Sequence, residues 1–516
     1  MHIRAAKRSA VSWLKIPLSP PFLLSLHEAR GHIPAEALTN YFHRPESVQA
    51  SPTAHVKKFV LMNISRSSPV NLSIHAGQVK AGDLPRFNIK FALQFMLAVL
   101  PVVSGLAAPA PTIGNHPAVY DKSGMLKPWT PWGDAIDREV NWYLKCPVKH
   151  GYPRFVYLTF MDGDYRAIAG RSSFIPATQD GMGIISYLKY YDYKKKKDPR
   201  LLRMARCLGD YLVKEAVTPD TGKYPRFSRS TGWQEKFPQP PDCGSQDDQP
   251  YEIQPDKGGV AGYALLLLYK ETKDEKYLQQ ALQNARVLAA NMREGTAAKS
   301  PWPFRADYRT GEPRGDVSGD MAFILRLFDE LIGQGYTEFK PARDKLWGWI
   351  KEFQIPNLAQ DGLLWAQFFE DHHEPDNRTA WSPLNLARYL IEKKEALDPD
   401  WKPDSRALIE FVNRRFITVR DGVAVCGEQT NDVQPWGGIL STYGAVLAMY
   451  AKATGSDEFK AVSRQALNYC LYAINDDGCP GDLVMTRGRG GWQEDAHTDK
   501  LHNFVDAMTA FPEWAK

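Results

Sequence analysis

Carboxylates gather in the longest loops of this chain, and they come from well-separated stretches. "FMDGDYR" carries Asp162 and Asp164, "SQDDQPYEIQPDKGG" carries Asp247, Asp248, Glu252 and Asp256, and "PRGDVSGDM" carries Asp316 and Asp320. Further on, "FFEDHHEPDNR" supplies Glu370, Asp371 and Asp376, and "GWQEDAHTD" supplies Glu494, Asp495 and Asp499. Two carboxyl groups brought from different loops to either side of an acetal can cleave it. One protonates the leaving oxygen, and the other activates water or attacks the ring. Convergence from different loops therefore matters more than abundance.

Glu252, Asp320 and Asp495 are the expected catalytic set. Glu252 lies between Tyr251 and Ile253 in a stretch bounded by Pro250 and Pro255. Apolar surroundings raise a carboxyl pKa and suit a proton donor; a structural ion pair is the plain alternative. Asp320 opens an apolar run, where the positive end of a helix would keep it ionised as base or nucleophile. It has a plainer alternative as a helix cap, shared with Asp256 and Asp316. Asp162 and Asp164 read equally well as turn residues. Asp495 stands near Trp492 and His497 and is the reserve member of the set.

Aromatic and cationic side chains accompany the acids. Trp302, Trp381, Trp436 and Trp492 fall in these loops or at the first turn of a helical pattern. Their flat faces suit the C–H faces of sugar rings, with packing between loops as the alternative. Arg154, Arg166, Arg171, Arg226, Arg229, Arg305, Arg314 and Arg378 are spread through the same stretches. Guanidinium groups pair with carboxylates, so they serve either the loop acids or an acidic substrate. The expected substrate-binding set is Trp302, Arg305, Arg314, His372, Trp381, Trp436 and Trp492. No metal or cofactor is expected: the adjacent His372 and His373 cannot easily share one ion, and no D-x-D-x-D-G loop occurs. Phosphate-loop, dinucleotide, H-E-x-x-H and G-x-S-x-G patterns are also missing.

These loops need a scaffold, and the loops themselves recur. "GYPRF" (151–155), "KYPRF" (223–227) and "SPWPFR" (300–305) stand about seventy residues apart, and recurrence at a steady interval marks a repeated supersecondary unit. Between them run paired helical patterns. The first of each pair is apolar on most sides and opens with small residues, so it is buried. The second is amphipathic and faces solvent. Counting gives six buried helices starting near 180, 258, 318, 382, 437 and 497, and six amphipathic ones near 134, 199, 274, 339, 403 and 456.

Six inner and six outer helices in alternation resemble the six-hairpin glycosidase superfamily. The resemblance covers residues 130–516 and implies an all-α fold, the (α/α)6 toroid, with the cleft on the rim at the N-terminal ends of the inner helices. Glycoside hydrolases, polysaccharide lyases and sugar epimerases share that fold, so fold alone does not set the reaction. The resemblance and the loop acids together point to a glycoside hydrolase acting on an oligo- or polysaccharide. One alternative is a lyase acting on uronate-containing glycans, with Tyr165, Tyr251, Tyr308 or His372 as base. The other is a non-catalytic glycan-binding protein.

The charge balance excludes a nucleic-acid partner. Residues 1–108 hold 12 basic and 4 acidic groups, whereas residues 109–516 hold 52 and 55. The net charge of +5 is thus a property of the leader, and the body carries no basic stripe. Within the leader, "RFNIK" (86–90) precedes the apolar "FALQFMLAVLPVV" (91–103) and the small residues of "SGLAAPAP". That order reads as an export signal displaced from the N-terminus, and it is too short for a good membrane span. The expected organisation is a start-site artefact or disordered extension over 1–85, a signal-like segment over 86–108, and one toroid domain over 109–516. The protein is then secreted or periplasmic, with no stable membrane partner. Export permits disulfides among Cys146, Cys207, Cys243, Cys426, Cys470 and Cys479, and Cys470 with Cys479 is the first pair to test.

Overall fold

The computed structural model describes residues 111–168, 175–230, 251–367, 377–481, 483 and 488–516. The two leader segments, Arg171, Cys243, Asp247, Asp248, Glu370, Asp371, His372, His373 and Asp376 lie outside the described residues.

In chain order the main helices are α1 (Trp132–Tyr143), α2 (Pro176–Tyr193), α3 (Pro199–Lys214), α4 (Pro255–Thr272), α5 (Glu275–Ala290), α6 (Ala322–Gly333), α7 (Lys340–Trp349), α8 (Trp381–Lys393), α9 (Trp401–Arg415), α10 (Gly437–Thr454), α11 (Lys460–Leu471) and α12 (Asp499–Ala510). A π turn (Ile350–Gln354) extends α7 into a final helical turn, Ile355–Ala359. Local chemistry sets several of the boundaries. Proline occupies the first turn of α2, α3 and α4, where its missing N–H costs nothing. Asp198 caps α3 by accepting from Arg200 N at 3.0 Å, and Gly455, at φ 72°, ends α10 in the left-handed conformation glycine favours.

Even-numbered helices form the inner ring and odd-numbered ones the outer. Each inner helix packs on the next, α2 on α4, α4 on α6, α6 on α8, α8 on α10 and α10 on α12, and α12 returns to α2. The ring is closed, an (α/α)6 toroid. Close approach between inner helices depends on the small residues: a Cβ at Gly259 of α4 would lie 2.7 Å from Ile324 Cγ1 and 2.9 Å from Ile324 N on α6. Five outer helices pack on the inner helix that precedes them (α3 on α2 through α11 on α10). The sixth, α1, joins the ends of the chain, because Trp132 packs edge-on against Phe504 of α12 and its indole donates to Asn468 of α11. No helix among the described residues is long and apolar enough to cross a membrane.

Strands are short and belong to the loops. They include β1 (Phe160–Asp162), β2 (Glu252–Ile253), β3 (Arg305–Asp307), β4 (Pro313–Arg314) and β5 (Gly490–Trp492). β5 pairs antiparallel with β1, placing Trp492 opposite Phe160, so the first and last long loops are stitched together above the ring closure. β2, β3 and β4 form a three-stranded antiparallel sheet. Cys470 and Cys479, the first pair to test for a bridge, are free thiols. The Cys470 sulfur points towards Gly437 O at the start of α10, while that of Cys479 lies against Pro480 O.

Candidate active site

A narrow cavity opens where the first turns of the inner helices converge. Thr178 and Met182 of α2, Lys257 and Val260 of α4, Asp320 and Phe323 at the start of α6, Trp381 and Asn385 of α8, and Glu494 and Asp499 at the start of α12 line it. Five of the six inner helices therefore contribute. Because α6 and α12 are third and sixth in a ring of six, Asp320 stands across the cavity from Glu494 and Asp499. Lys257 and Trp381 occupy the flanks.

Asp320 is 6% exposed and carries no capping duty, since Met321 is the residue flanking α6 and no side chain caps that end. Its Oδ2 accepts from Asn385 Nδ2 at 3.4 Å, and its Oδ1 has no hydrogen-bond partner. Burial pushes its pKa up; the nearby Lys257 ammonium opposes that, as do the Asn385 bond and Arg326. The expected helix-end stabilisation of its anion is thus outweighed by desolvation, and the residue suits proton donation better than the base role expected for it.

The other two expected acids have structural work. Glu252, in β2, forms an ion pair with Arg314 of β4. Alternation along the sheet puts Glu252, Arg305, Asp307 and Arg314 on one face, with Ile253 and Ala306 on the other. Asp495 caps α10: its Oδ1 accepts from Gly438 N at 2.8 Å. Glycine is needed there, because a Cβ on Gly438 would lie 2.5 Å from that oxygen and 3.2 Å from Trp381 Cη2.

Of the expected substrate-binding residues, Trp381 lies in the cavity wall, and its indole donates to Glu428 Oε1 at 2.9 Å. Trp436 and Trp492 meet edge-on with centroids 5.8 Å apart, and Trp436 donates to Asp432 Oδ2 at 2.9 Å. Both are more than nine-tenths buried. Trp302 is a core residue: it is fully buried, donates to Leu288 O at 3.0 Å and packs on Phe328, so no ring face is left for a sugar. Arg305 is equally buried, its guanidinium 4.6 Å from the Phe304 ring centroid. Asp316 pairs with Arg293 at 2.6 Å, and Asp162 accepts from Asp164 N and Arg166 N within its own turn.

Lys257, Glu494 and Asp499 are the charged wall residues outside the expected set. Glu494 and Asp499 stood among the loop acids, but five residues apart they fall on different faces of an α-helix, about 140° apart. Lys257 was hidden beside Asp256, 3.5 Å away, in a helical first turn. No group of three or more His, Cys, Asp or Glu among the described residues is placed to hold a metal.

No family model and no curated protein matches the sequence. Solved structures do match the fold. A family 76 glycoside hydrolase from a bovine Bacteroides thetaiotaomicron strain superposes with a TM-score of 0.52 at 10% identity, covering 76% of this chain and 83% of the hydrolase. A sugar epimerase from a ruminal bacterium gives 0.54 at 10% identity, over 73% and 96% of the two chains. The cellobiose 2-epimerase of Bacillus thermoamylovorans gives 0.52 at 11%, over 72% and 98%. The fold is that of the (α/α)6 toroid enzymes. At these identities the likeness extends to the fold alone.

Proposed function

We propose that this protein is an exported carbohydrate-active enzyme, and specifically a glycoside hydrolase. The observation that carries the reading is the placement of Asp320 on the opposite wall of one cavity from Glu494 and Asp499. Asp320, held towards its protonated form by burial, donates to the leaving oxygen. Glu494 or Asp499 activates water or attacks the ring from the other side. Trp381 offers an apolar flank to the sugar, and Lys257 sits close enough to Asp320 to stabilise its anion after the proton has left. The use of the same fold by a hydrolase and two epimerases of sugars supports the substrate class. The leader's charge and apolar order supports export.

A uronate lyase fits less well. Among the described residues the cavity wall offers Lys257 as a base but no Arg to neutralise a uronate carboxylate. Of the expected bases, Tyr165 stacks on Trp142 and bonds Trp142 O. The test is incubation with a panel of neutral and acidic oligosaccharides. Hydrolysis releases new reducing ends without ultraviolet absorbance. Unsaturated, absorbing ends would replace the proposal with the lyase, and a product of unchanged size with an altered sugar would replace it with an epimerase.

A further inference from the structure

The start of α12 is a π turn, Glu494–Thr498, closed by a hydrogen bond from Asp499 N to Glu494 O. Such turns are rare and widen the helix by one residue. In an α-helix, positions five apart diverge by about 140°; the i→i+5 bond instead brings its two ends onto one face. Those ends are Glu494 and Asp499, two of the three carboxylates that line the cavity. We infer that the π turn serves to set this acid pair side by side, and that Glu139, His497 and Tyr187 are positioning residues that hold the turn in register.

The support beneath the turn is fully buried, with one ion pair and two hydrogen-bond contacts running through it. His497 Nδ1 lies 2.8 Å from Glu139 Oε1, and Lys500 Nζ lies 2.7 Å from Glu139 Oε2, with every partner 1% exposed or less. His497 Nε2 lies 2.8 Å from the Tyr187 hydroxyl. A carboxylate only accepts, so Nδ1 carries the proton and Nε2 accepts from Tyr187. The Tyr143 ring stacks on the imidazole at 3.7 Å, and its hydroxyl donates to Gln493, the residue before the turn, at 2.5 Å. Ser186 of α2 donates to the Thr498 carbonyl. Groups from α1 and α2 therefore converge on one imidazole, and Lys500 of α12 braces its Glu139 partner. Burial pushes its pKa down and Lys500 acts the same way, against the pull of Glu139, so it is a neutral strut.

The opposite wall uses a related device. Gln354, the last residue of the π turn that extends α7, donates to Gly319 O at 2.5 Å, immediately before Asp320. Among the described residues, each of the two π turns therefore abuts a segment bearing cavity carboxylates. A widened turn leaves backbone groups out of the regular ladder and costs stability, which is tolerated where a site needs the geometry.

The inference rests on the proposed site, and its test separates the two. In His497→Gln, a crystal structure should show the turn relaxed to α-helical register with Asp499 rotated off the cavity wall. On the glycan the wild type cleaves, kcat should fall about 10- to 100-fold, the scale of loss from an ångström-sized misplacement of a reacting group, with KM nearly unchanged. Tyr187→Phe removes only a hydroxyl and stands in should His497→Gln fail to fold; it should shift kcat in the same direction by a smaller factor. An intact π turn with both carboxylates in place in these variants overturns the inference, and so does a relaxed turn with undiminished kcat. If the wild type cleaves no glycan, the proposed function fails alone, and the register of the turn still decides the positioning role.

Discussion

Glu252 and Asp320 are both buried carboxylates at the loop end of the toroid, and they lead opposite lives. Glu252 sits in a three-stranded sheet and meets the Arg314 guanidinium. Asp320 faces a cavity with one oxygen lacking any hydrogen-bond partner, and burial raises its pKa. A buried carboxylate matched by a fixed cation is finished as structure: its charge is compensated and its lone pairs are engaged. One whose compensation is partial, and which opens onto space, can still exchange a proton. Apolar sequence neighbours alone do not separate the two cases.

The largest expected effect tests the cavity side of that contrast. Asp320→Asn keeps the shape and the Asn385 neighbour but removes the proton. Turnover should drop by about 10²- to 10⁴-fold, the usual contribution of a general acid or base, while the affinity for uncleaved substrate, measured by calorimetry, holds. Full activity with a lower melting temperature would return Asp320 to a structural role.

Asp180 breaks the simple version of the rule. It is fully buried in α2, neither of its oxygens has a hydrogen-bond partner, and it does not line the cavity although Thr178 and Met182 on either side do. Burial pushes its pKa well up. The folded protein therefore holds that proton more tightly than the unfolded chain. Its contribution to stability is present at acid pH and is lost as pH rises from the ordinary aspartate range towards the folded value. Asp180→Asn cannot ionise and escapes this loss. It should be more stable than wild type at pH 7, by roughly 1.4 kcal/mol for each tenfold gain in proton affinity that burial gives Asp180, with the difference shrinking as pH falls towards 3, and turnover should be unaffected. Thermal melts at several pH values check the sign. A collapse in turnover would mean that lack of a partner, rather than access to the cavity, marks the catalytic acid.

Much of the scaffold was legible and little of the site. The alternation of apolar and amphipathic helices separates inner from outer because each pattern reports which faces are wet, and the closed ring is what the resemblance added. Helix starts moved by a few residues where the approach is tied by tertiary contacts, as at Ser318, whose N donates to Ser300 Oγ, so that α6 begins at Ala322 rather than near 318. The site resisted because its geometry departs from the regular period. Glu494 and Asp499 share a wall only through a π turn that spacing rules place on two faces. Asp495, between them, looked the better acid and is the cap of α10. Trp302 read as a loop aromatic because proline follows it, but tertiary packing took it into the core.

Trp381 brings a smaller expected effect. Its ring flanks the cavity between Asp320 on one side and the start of α10 on the other. Trp381→Phe keeps an aromatic face and loses the indole bond to Glu428, whereas Trp381→Ala loses both. The alanine variant should weaken glycan binding by about 0.5–1.5 kcal/mol, the worth of an aromatic contact, seen as a several-fold rise in KM with kcat little changed. The phenylalanine variant should recover most of it. Equal losses in both would assign the effect to the Glu428 hydrogen bond.

The smallest effect is expected on the sheet side. Glu252→Gln removes one charge of an ion pair whose arginine side chain is 30% exposed. Water can resolvate that guanidinium, so the cost falls well short of the 3–5 kcal/mol of breaking a fully buried pair. It belongs nearer the upper end of the surface range, about 1 kcal/mol. Glutamine also keeps an oxygen that can accept from Arg314. Turnover should match wild type across the pH range, with a small drop in melting temperature and a shallower dependence of stability on salt. The double variant Glu252→Gln, Arg314→Met should recover part of the loss, since it leaves no lone charge in the sheet. A turnover defect as deep as that of Asp320→Asn, with no change in melting temperature, would reverse the assignment. The proton donor would then lie in the sheet, and the cavity acids would be the structural ones.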